Sequence, residues 1–334
     1  MLKQRHRRAC IARGTFLALA CVASAQAATT ADAERDRQSL DDAWFTGPIL
    51  AASANTLPQG HVLVEPYVYD VITHGRYDDD GNYREGDTQH SYGSLTYLLY
   101  GVTDTFTVGA IPTFGFNNVS VGEDSSKVGV GDLTLQAQYR LTQFSEGRRV
   151  PTLSLLLQET LPTGKHDELG TRLSDGMGNG AYATTLGVHS QYFFWLPNGR
   201  ILRTRLNATY TLPQDADVTG TSVYGTPVGF TGHASPGNSL AIYSSWEYSI
   251  TREWVLALDL VYQHDDSTRV SGYDSATSLP FEANPGSSWR VAVAPAIEYN
   301  WTSRVGIIVG ARWFPAGRNT SASVTPVAAI NIVY

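Results

Sequence analysis

The connections between its alternating segments constrain this chain more than any other feature. From Gly60 onward, stretches of a dozen or so residues alternate apolar with polar side chains, and the connections between them are short and long in turn. The short ones are Val102-Thr103-Asp104, a turn around Glu146-Gly147, Pro197-Asn198-Gly199, Thr251-Arg252-Glu253 and Thr302-Ser303-Arg304. The long ones are His74–Thr88, Asn118–Lys127, Gly164–Gly180, Gln214–Pro236, Asp265–Ser287 and a briefer one at Ala316–Thr320. Alternation of period two marks a strand with one apolar face. A soluble sandwich scatters its loop lengths, whereas a membrane barrel has short turns at one rim, long loops at the other and an even strand number. About twelve strands fit between these connections, from Gly60–Thr73 to Ser321–Tyr334. The expected fold class is all-β: an antiparallel up-and-down transmembrane β-barrel.

The faces of individual segments agree. In Val130–Leu141, Asp132, Thr134, Gln136, Gln138 and Arg140 share one parity, while Leu133, Leu135, Ala137, Tyr139 and Leu141 share the other. In Trp289–Trp301, Val291, Val293, Ile297 and Tyr299 oppose Arg290, Ala292, Ala294, Ala296 and Glu298. Twelve residues at ~3.3 Å each, tilted by roughly 45°, cover about 28 Å, close to the height of a lipid-facing band. Trp254, Trp289, Trp301, Trp313 and Tyr334 therefore fall where interface aromatics belong. In the last strand, Ala328, Ile330, Ile332 and Tyr334 share the lipid parity, and Val327, Ala329 and Asn331 the other.

Residues 1–27 have the form of a signal peptide. Lys3, Arg5, Arg7, Arg8 and Arg13 precede a short apolar run, and Ala25-Gln26-Ala27 has the small-x-small form of a cleavage site. The run is too short to span a bilayer as a helix. Ala18-Leu19-Ala20-Cys21 is a poor match to a lipoprotein box. Cleavage removes Cys10 and Cys21, so no disulfide framework is expected. It also removes five basic residues, leaving 19 Lys+Arg against 31 Asp+Glu, a net of −12. That acidity argues against nucleic acid as a partner. Residues 28–59 carry Asp32-Ala33-Glu34-Arg35-Asp36-Arg37 and then Trp44-Phe45-Thr46-Gly47-Pro48 without periodicity. They are expected to form a periplasmic N-terminal arm able to tuck into the barrel mouth, with the barrel itself at 60–334.

The polar parity supplies the lumen candidates: Glu65, Asp132, Gln136, Gln138, Arg140, Arg203, Arg205, Asp259, Arg290, Glu298 and Arg312, with His189, Gln191, Asn207 and Glu247 beside them. Such charges either select a solute along a wet pathway or form a network that fills a narrow barrel. Twelve strands lie between the filled barrels and the wide porins, so both readings stay open. No cofactor is expected, and no metal: the Asp78-Asp79-Asp80-Gly81-Asn82 loop lacks the spacing of an EF-hand and reads as a solvated acidic turn. Leu161-Pro162-Thr163-Gly164-Lys165 lacks the glycine and hydroxyl spacing of a phosphate loop.

Catalysis is not expected. A Ser–His pair has to meet, and His189-Ser190 point to opposite faces of a strand. No histidine lies in the His-x-Ser-Asn-Gly motif of outer-membrane phospholipase A.

The stretch Trp44-Phe-Thr-Gly-Pro to Thr56-Leu57-Pro58-Gln59-Gly60, running into Val64-Glu65-Pro66-Tyr67, resembles the outer-membrane transporter family named for the MetA pathway of phenol degradation. Thr160-Leu161-Pro162-Thr163-Gly164 is similar to another of its features. The resemblance implies a transporter-like barrel associated with aromatic-compound catabolism, and supplies no site residues. The expectation is an outer-membrane channel for passive uptake of small, aromatic or hydrophobic solutes, without an energy source of its own. Its partners would be that solute, outer-membrane lipid and lipopolysaccharide, and the barrel-assembly machinery during biogenesis. The alternatives are a closed structural or surface-binding barrel and, further off, an outer-membrane lipid hydrolase.

Overall fold

The computed structural model describes residues 37–334; the expected signal peptide, and residues 28–36 of the arm, lie outside the described residues. Strands β1 (Val62–Tyr77), β2 (Tyr83–Thr103), β3 (Phe106–Ile111), β4 (Thr113–Asn118), β5 (Gly129–Val130) and β6 (Leu133–Thr142) form the first part of one sheet. It continues through β7 (Thr152–Leu161), β8 (Ala183–Trp195) and β9 (Ile201–Pro213). After β10 (Ala216–Thr219) and β11 (Phe230–Ser235), which lie outside it, come β12 (Ser239–Ser249) and β13 (Trp254–Asp265). Two further outside strands, β14 (Arg269–Asp274) and β15 (Leu279–Ala283), precede β16 (Ser288–Thr302), β17 (Val305–Arg318) and β18 (Thr320–Val333).

The large sheet has fourteen segments, but β3 and β4 are one strand interrupted at Pro112, and β5 leads into β6 through Gly131-Asp132. Proline has no N–H for the ladder, which accounts for the first break. Twelve strands result. Each pairs antiparallel with its sequence neighbour, and β1 pairs with both β2 and β18, so the sheet closes on itself. Closure removes the free edges that an open sheet of this size would present.

The outer wall is apolar. Val68, Leu98, Leu135, Leu155, Leu186, Leu206, Ile242, Leu256, Ile297, Val309 and Ile330 are exposed on successive strands around the barrel. A continuous belt of this kind marks a membrane-facing surface, not a soluble one. At its edges, Trp254 packs on Tyr299 with ring centres 4.6 Å apart and Tyr299 on Trp301 at 5.4 Å. Trp289 stacks on Tyr262 at 6.4 Å, while Trp313 and Tyr334 stand exposed. The belt makes a direct prediction. Ile330→Arg, on the outward parity of β18, should cost up to about 2–4 kcal/mol of barrel stability if it sits near the bilayer midplane. Urea unfolding in lipid vesicles measures this, and an unchanged midpoint would show that Ile330 does not face lipid.

The connections at the arm's end are short, as expected, and Asn118–Lys127 and Gly164–Gly180 are loops, but the other four long connections differ from the expectation. His74–Thr88 is not a loop: β1 and β2 continue as a hairpin to a tight turn at Asp78–Asn82. Asp78 accepts from the N–H groups of Asn82 (2.8 Å) and Asp80 (3.1 Å) and pairs with Arg84 (2.8 Å), which holds its carboxyl below the usual range. Ala316–Thr320 also shrinks, to the single turn residue Asn319, whose φ of 49° suits an Asn. Gln214–Pro236 and Asp265–Ser287 contribute β10, β11, β14 and β15 to a separate four-stranded sheet over the long-loop end, with its own core of Val218, Phe230, Ala234 and Val270.

Candidate functional site

The described part of the arm, 37–59, does not stay at the mouth but runs through the barrel interior. An irregular segment leaves its backbone N–H and C=O groups without ladder partners, and inside a barrel these must be met by side chains. The inner wall meets them in sequence. The carboxylate of Glu298 on β16 accepts from the N–H groups of Thr46 (2.7 Å) and Gly47 (3.1 Å). Asp259 on β13 accepts from those of Leu50 (3.0 Å) and Ala51 (3.3 Å). Arg205 donates to the Ala51 carbonyl (2.6 Å) and Asn207 to that of Ala52 (2.9 Å). Gln138 donates to the carbonyls of Ser53 (3.0 Å) and Asn55 (3.1 Å), and the Ser154 hydroxyl donates to that of Ala54.

Both ends of this crossing are fixed. Gln38 donates to Ser249 (2.8 Å), and the Trp195 indole donates to the Gln38 carbonyl (2.8 Å). At the other end, Thr56-Leu57-Pro58-Gln59-Gly60 wraps the first short turn. Thr56 donates to the Asp104 carbonyl (2.6 Å), Leu57 N–H to Thr107 (2.8 Å) and Gln59 N–H to the Asp104 carboxylate (2.9 Å). A side chain at Gly101 would strike the Pro58 carbonyl, so glycine is required where the arm crosses β2. At Gly306 a side chain would likewise strike the Thr46 hydroxyl.

Beneath the arm lies a charged knot. Glu247 on β12 is fully buried, gripped by both nitrogens of one edge of Arg203, and Arg205 Nε stands 3.3 Å away as an ion contact. The Arg203 guanidinium also lies 4.1 Å from the centre of the Phe45 ring. A bidentate Arg–carboxylate pair is among the stronger polar contacts, and burial makes its loss expensive.

Between the arm and a wall made chiefly by β1 to β9, with Tyr243 of β12 and Asn331 of β18, is a cavity of about 370 Å³. Its lining is mixed: Leu63, Tyr67, Tyr97, Leu99, Leu156 and Tyr243 beside Glu65, Gln136, Gln138, Gln158, Arg205 and Asn207, with Phe45 to Leu57 of the arm as the opposite wall. Tyr67 and Tyr97 meet edge to face with ring centres 5.9 Å apart, and Asn331 donates to Glu65 at 3.2 Å.

The structure thus gathers Glu65, Gln136, Gln138 and Arg205 around the cavity, and turns Arg203, Asp259 and Glu298 to the arm and the charged knot. Arg290 and Arg312 form a separate cluster on β16 and β17. Arg140 sits near the end of β6, before the Glu146-Gly147 connection. Asp132 plays a different part, accepting from Gly164 N–H (3.0 Å) and Asn179 N–H (2.8 Å) and so pinning the loop after β7 at the opposite rim. In the same loop Asp175 accepts from Ser126 N–H (2.7 Å), which lowers its pKa. Sequence reasoning missed the arm as the main partner of the lumen. Its only signal was a run of small residues, Ala51 to Asn55, flanked by Gly47-Pro48 and Leu57-Pro58, with no period to assign it to a strand or helix.

A closed twelve-stranded barrel with an apolar outer belt and an occupied interior defines an outer-membrane-type β-barrel. The chain belongs to the family described as "Putative MetA-pathway of phenol degradation", whose profile matches residues 58–325. No curated protein matches the sequence. Among solved structures, it is similar in fold to the COG4313 outer membrane channel from Pseudomonas putida F1, with a TM-score of 0.67 and 16% identity over 86% of this chain and 100% of that one. A weaker likeness, TM-score 0.43 and 13% identity over 92% of this chain and 97% of the other, is to the translocator domain of the autotransporter NalP from Neisseria meningitidis.

Proposed function

We propose that the chain is an outer-membrane channel through which small aromatic or otherwise hydrophobic solutes pass down their gradient, in a lumen narrowed by its own arm. The observation that carries this reading is the cavity of about 370 Å³ between the arm and a wall bearing Tyr67, Tyr97 and Tyr243. An apolar cavity of ~150 Å³ already holds a benzene, and pockets of about 300–1,000 Å³ serve drug-sized molecules. Tyrosines offer a flat apolar body with a polar edge, suited to a ring carrying a hydroxyl. Family membership and the fold shared with a Pseudomonas putida outer-membrane channel support the same reading. Glu65, Gln136, Gln138 and Arg205 are then the pore-lining residues next to the solute. Outer-membrane lipid and lipopolysaccharide surround the barrel, with Trp254, Trp289, Trp301, Trp313 and Tyr334 as its interface anchors, and the assembly machinery inserts it after export.

Swelling of proteoliposomes tests the proposal. The full chain should admit phenol-sized neutral solutes faster than sugars of equal charge. If no small solute enters, either with the full chain or with residues 37–57 removed, the barrel is a closed structural one.

A further inference from the structure

We propose that Arg290, Arg312 and Phe314 form a lumenal subsite for a small aromatic carboxylate: a flat apolar body bearing one carboxylate group. The inference deepens the channel reading and rests on it only for the claim that the bound molecule then moves on.

Two arginine clusters lie inside the barrel, and they differ in one respect. Arg203 and Arg205 share the buried carboxylate of Glu247. Arg290 and Arg312 have no such partner: among the described residues, the ion pairs of arginine involve Arg37, Arg84, Arg172, Arg203 and Arg205. Instead Arg290 donates twice to one neutral oxygen, Gln263 Oε1, at 3.2 and 2.9 Å. Arg312 reaches only the Thr325 hydroxyl at 3.3 Å, and its Nε is buried without a partner.

The two guanidinium groups also converge. Their carbons lie 5.2 and 4.9 Å from the centre of the same ring, that of Phe314. Two half-buried like charges held against one ring repel each other and have no carboxylate partner, an arrangement that an anion between them would relieve. The nearby acid does not supply it. Asp265 is occupied by Ser239 and by the amide of Gln263 (2.8 Å), which stands between it and Arg290.

The surroundings choose the kind of anion. Phe314 is buried against Val261 and Ala292, with Tyr243 and the arm's Leu50 packed on the cluster. Tyr243 and Leu50 also line the cavity described above, so the cluster borders that cavity. Tyr69 and Tyr243 lie close enough to Arg312 to sense its charge. A hydrated inorganic ion would gain little from these rings, whereas an aromatic acid would place its carboxylate on the guanidinium groups and its ring against Phe314, Tyr243 and Leu50.

Isothermal titration of the full chain in detergent micelles tests this with benzoate, acetate, benzyl alcohol and inorganic phosphate as probes, alongside the swelling assay. Benzoate should bind best, and Arg290→Gln with Arg312→Gln should weaken it by at least about tenfold while leaving benzyl alcohol unchanged. Thr325→Asp, which sets a resident carboxylate opposite Arg312 in the β17–β18 register, should weaken benzoate without removing either arginine. Heat-shifted mobility on gels reports whether each variant is folded. Equal binding of benzoate and acetate, or benzoate binding that survives both sets of substitutions, overturns the proposal. Absence of benzoate binding while neutral solutes permeate overturns the subsite and leaves the channel; benzoate binding without any permeation leaves the subsite and removes the channel.

Discussion

Replacing Glu247 by Ala is expected to destabilise the barrel by about 3–5 kcal/mol, the cost of leaving buried charges uncompensated. Glu247 is fully buried, and Arg203 and Arg205 retain only 7% and 5% of their exposure. Without the carboxylate, two adjacent guanidinium groups would remain in the interior. The Arg203 contact with Phe45 and the Arg205 bond to the Ala51 carbonyl are too few to compensate them. Glu298 is the nearest candidate to take over, and its Oε1 lacks a partner, but its Oε2 already accepts from Thr46 and Gly47. Its recruitment would therefore pull on the arm. Urea unfolding in vesicles measures the loss. A companion variant, Glu247→Leu with Arg203→Met, removes one charge of each sign and should recover part of the stability, because apolar side chains of similar volume often replace a buried pair at little cost. A loss below about 1 kcal/mol in Glu247→Ala would mean that water reaches the knot and screens it.

The barrel was legible in the sequence because a membrane imposes period two on every strand, and Leu133–Thr142 and Ser288–Thr302 keep it for their full length. Where the strands leave the membrane that constraint ends. In Gly75–Thr88 both faces meet water, so Arg76, Arg84, Glu85 and Asp87 carry no alternation although the backbone continues as a hairpin. The small outer sheet was hidden for a related reason. β10, β11, β14 and β15 are four to six residues long and too short to show a period, and only Val218, Phe230, Ala234 and Val270 form their shared core. The lumen candidates came from parity, which names inward residues without saying what they meet. Asp132 has the same parity as Gln138, yet one pins an outer loop and the other the arm. The difference lies in tertiary partners that no local pattern encodes.

Removing residues 37–57 is expected to raise single-channel conductance severalfold while the twelve strands remain closed. The arm fills a cross-section that a twelve-stranded barrel would otherwise leave to water, since such barrels lie between side-chain-filled and aqueous ones. Along Thr46–Asn55 its polar contacts are chiefly hydrogen bonds between wall side chains and its backbone, and water can replace these at a hydrated wall. The strand ladders do not pass through the arm, so closure of β1 on β18 should survive its loss. A gentler variant separates plug removal from damage. Asp259→Asn with Glu298→Gln keeps the wall sterically intact but turns into amides the two carboxyl groups that accept from the Thr46, Gly47, Leu50 and Ala51 N–H groups. An amide keeps one acceptor oxygen where Asp259 uses both, and its NH2 faces the arm's own donors, so this double variant should loosen the arm and give flickering openings between the two conductance levels. Planar-bilayer recordings distinguish the cases. Conductance unchanged by the truncation would mean that ions already bypass the arm, and the cavity beside Tyr67 and Tyr97 would then be the continuous path and not a closed compartment.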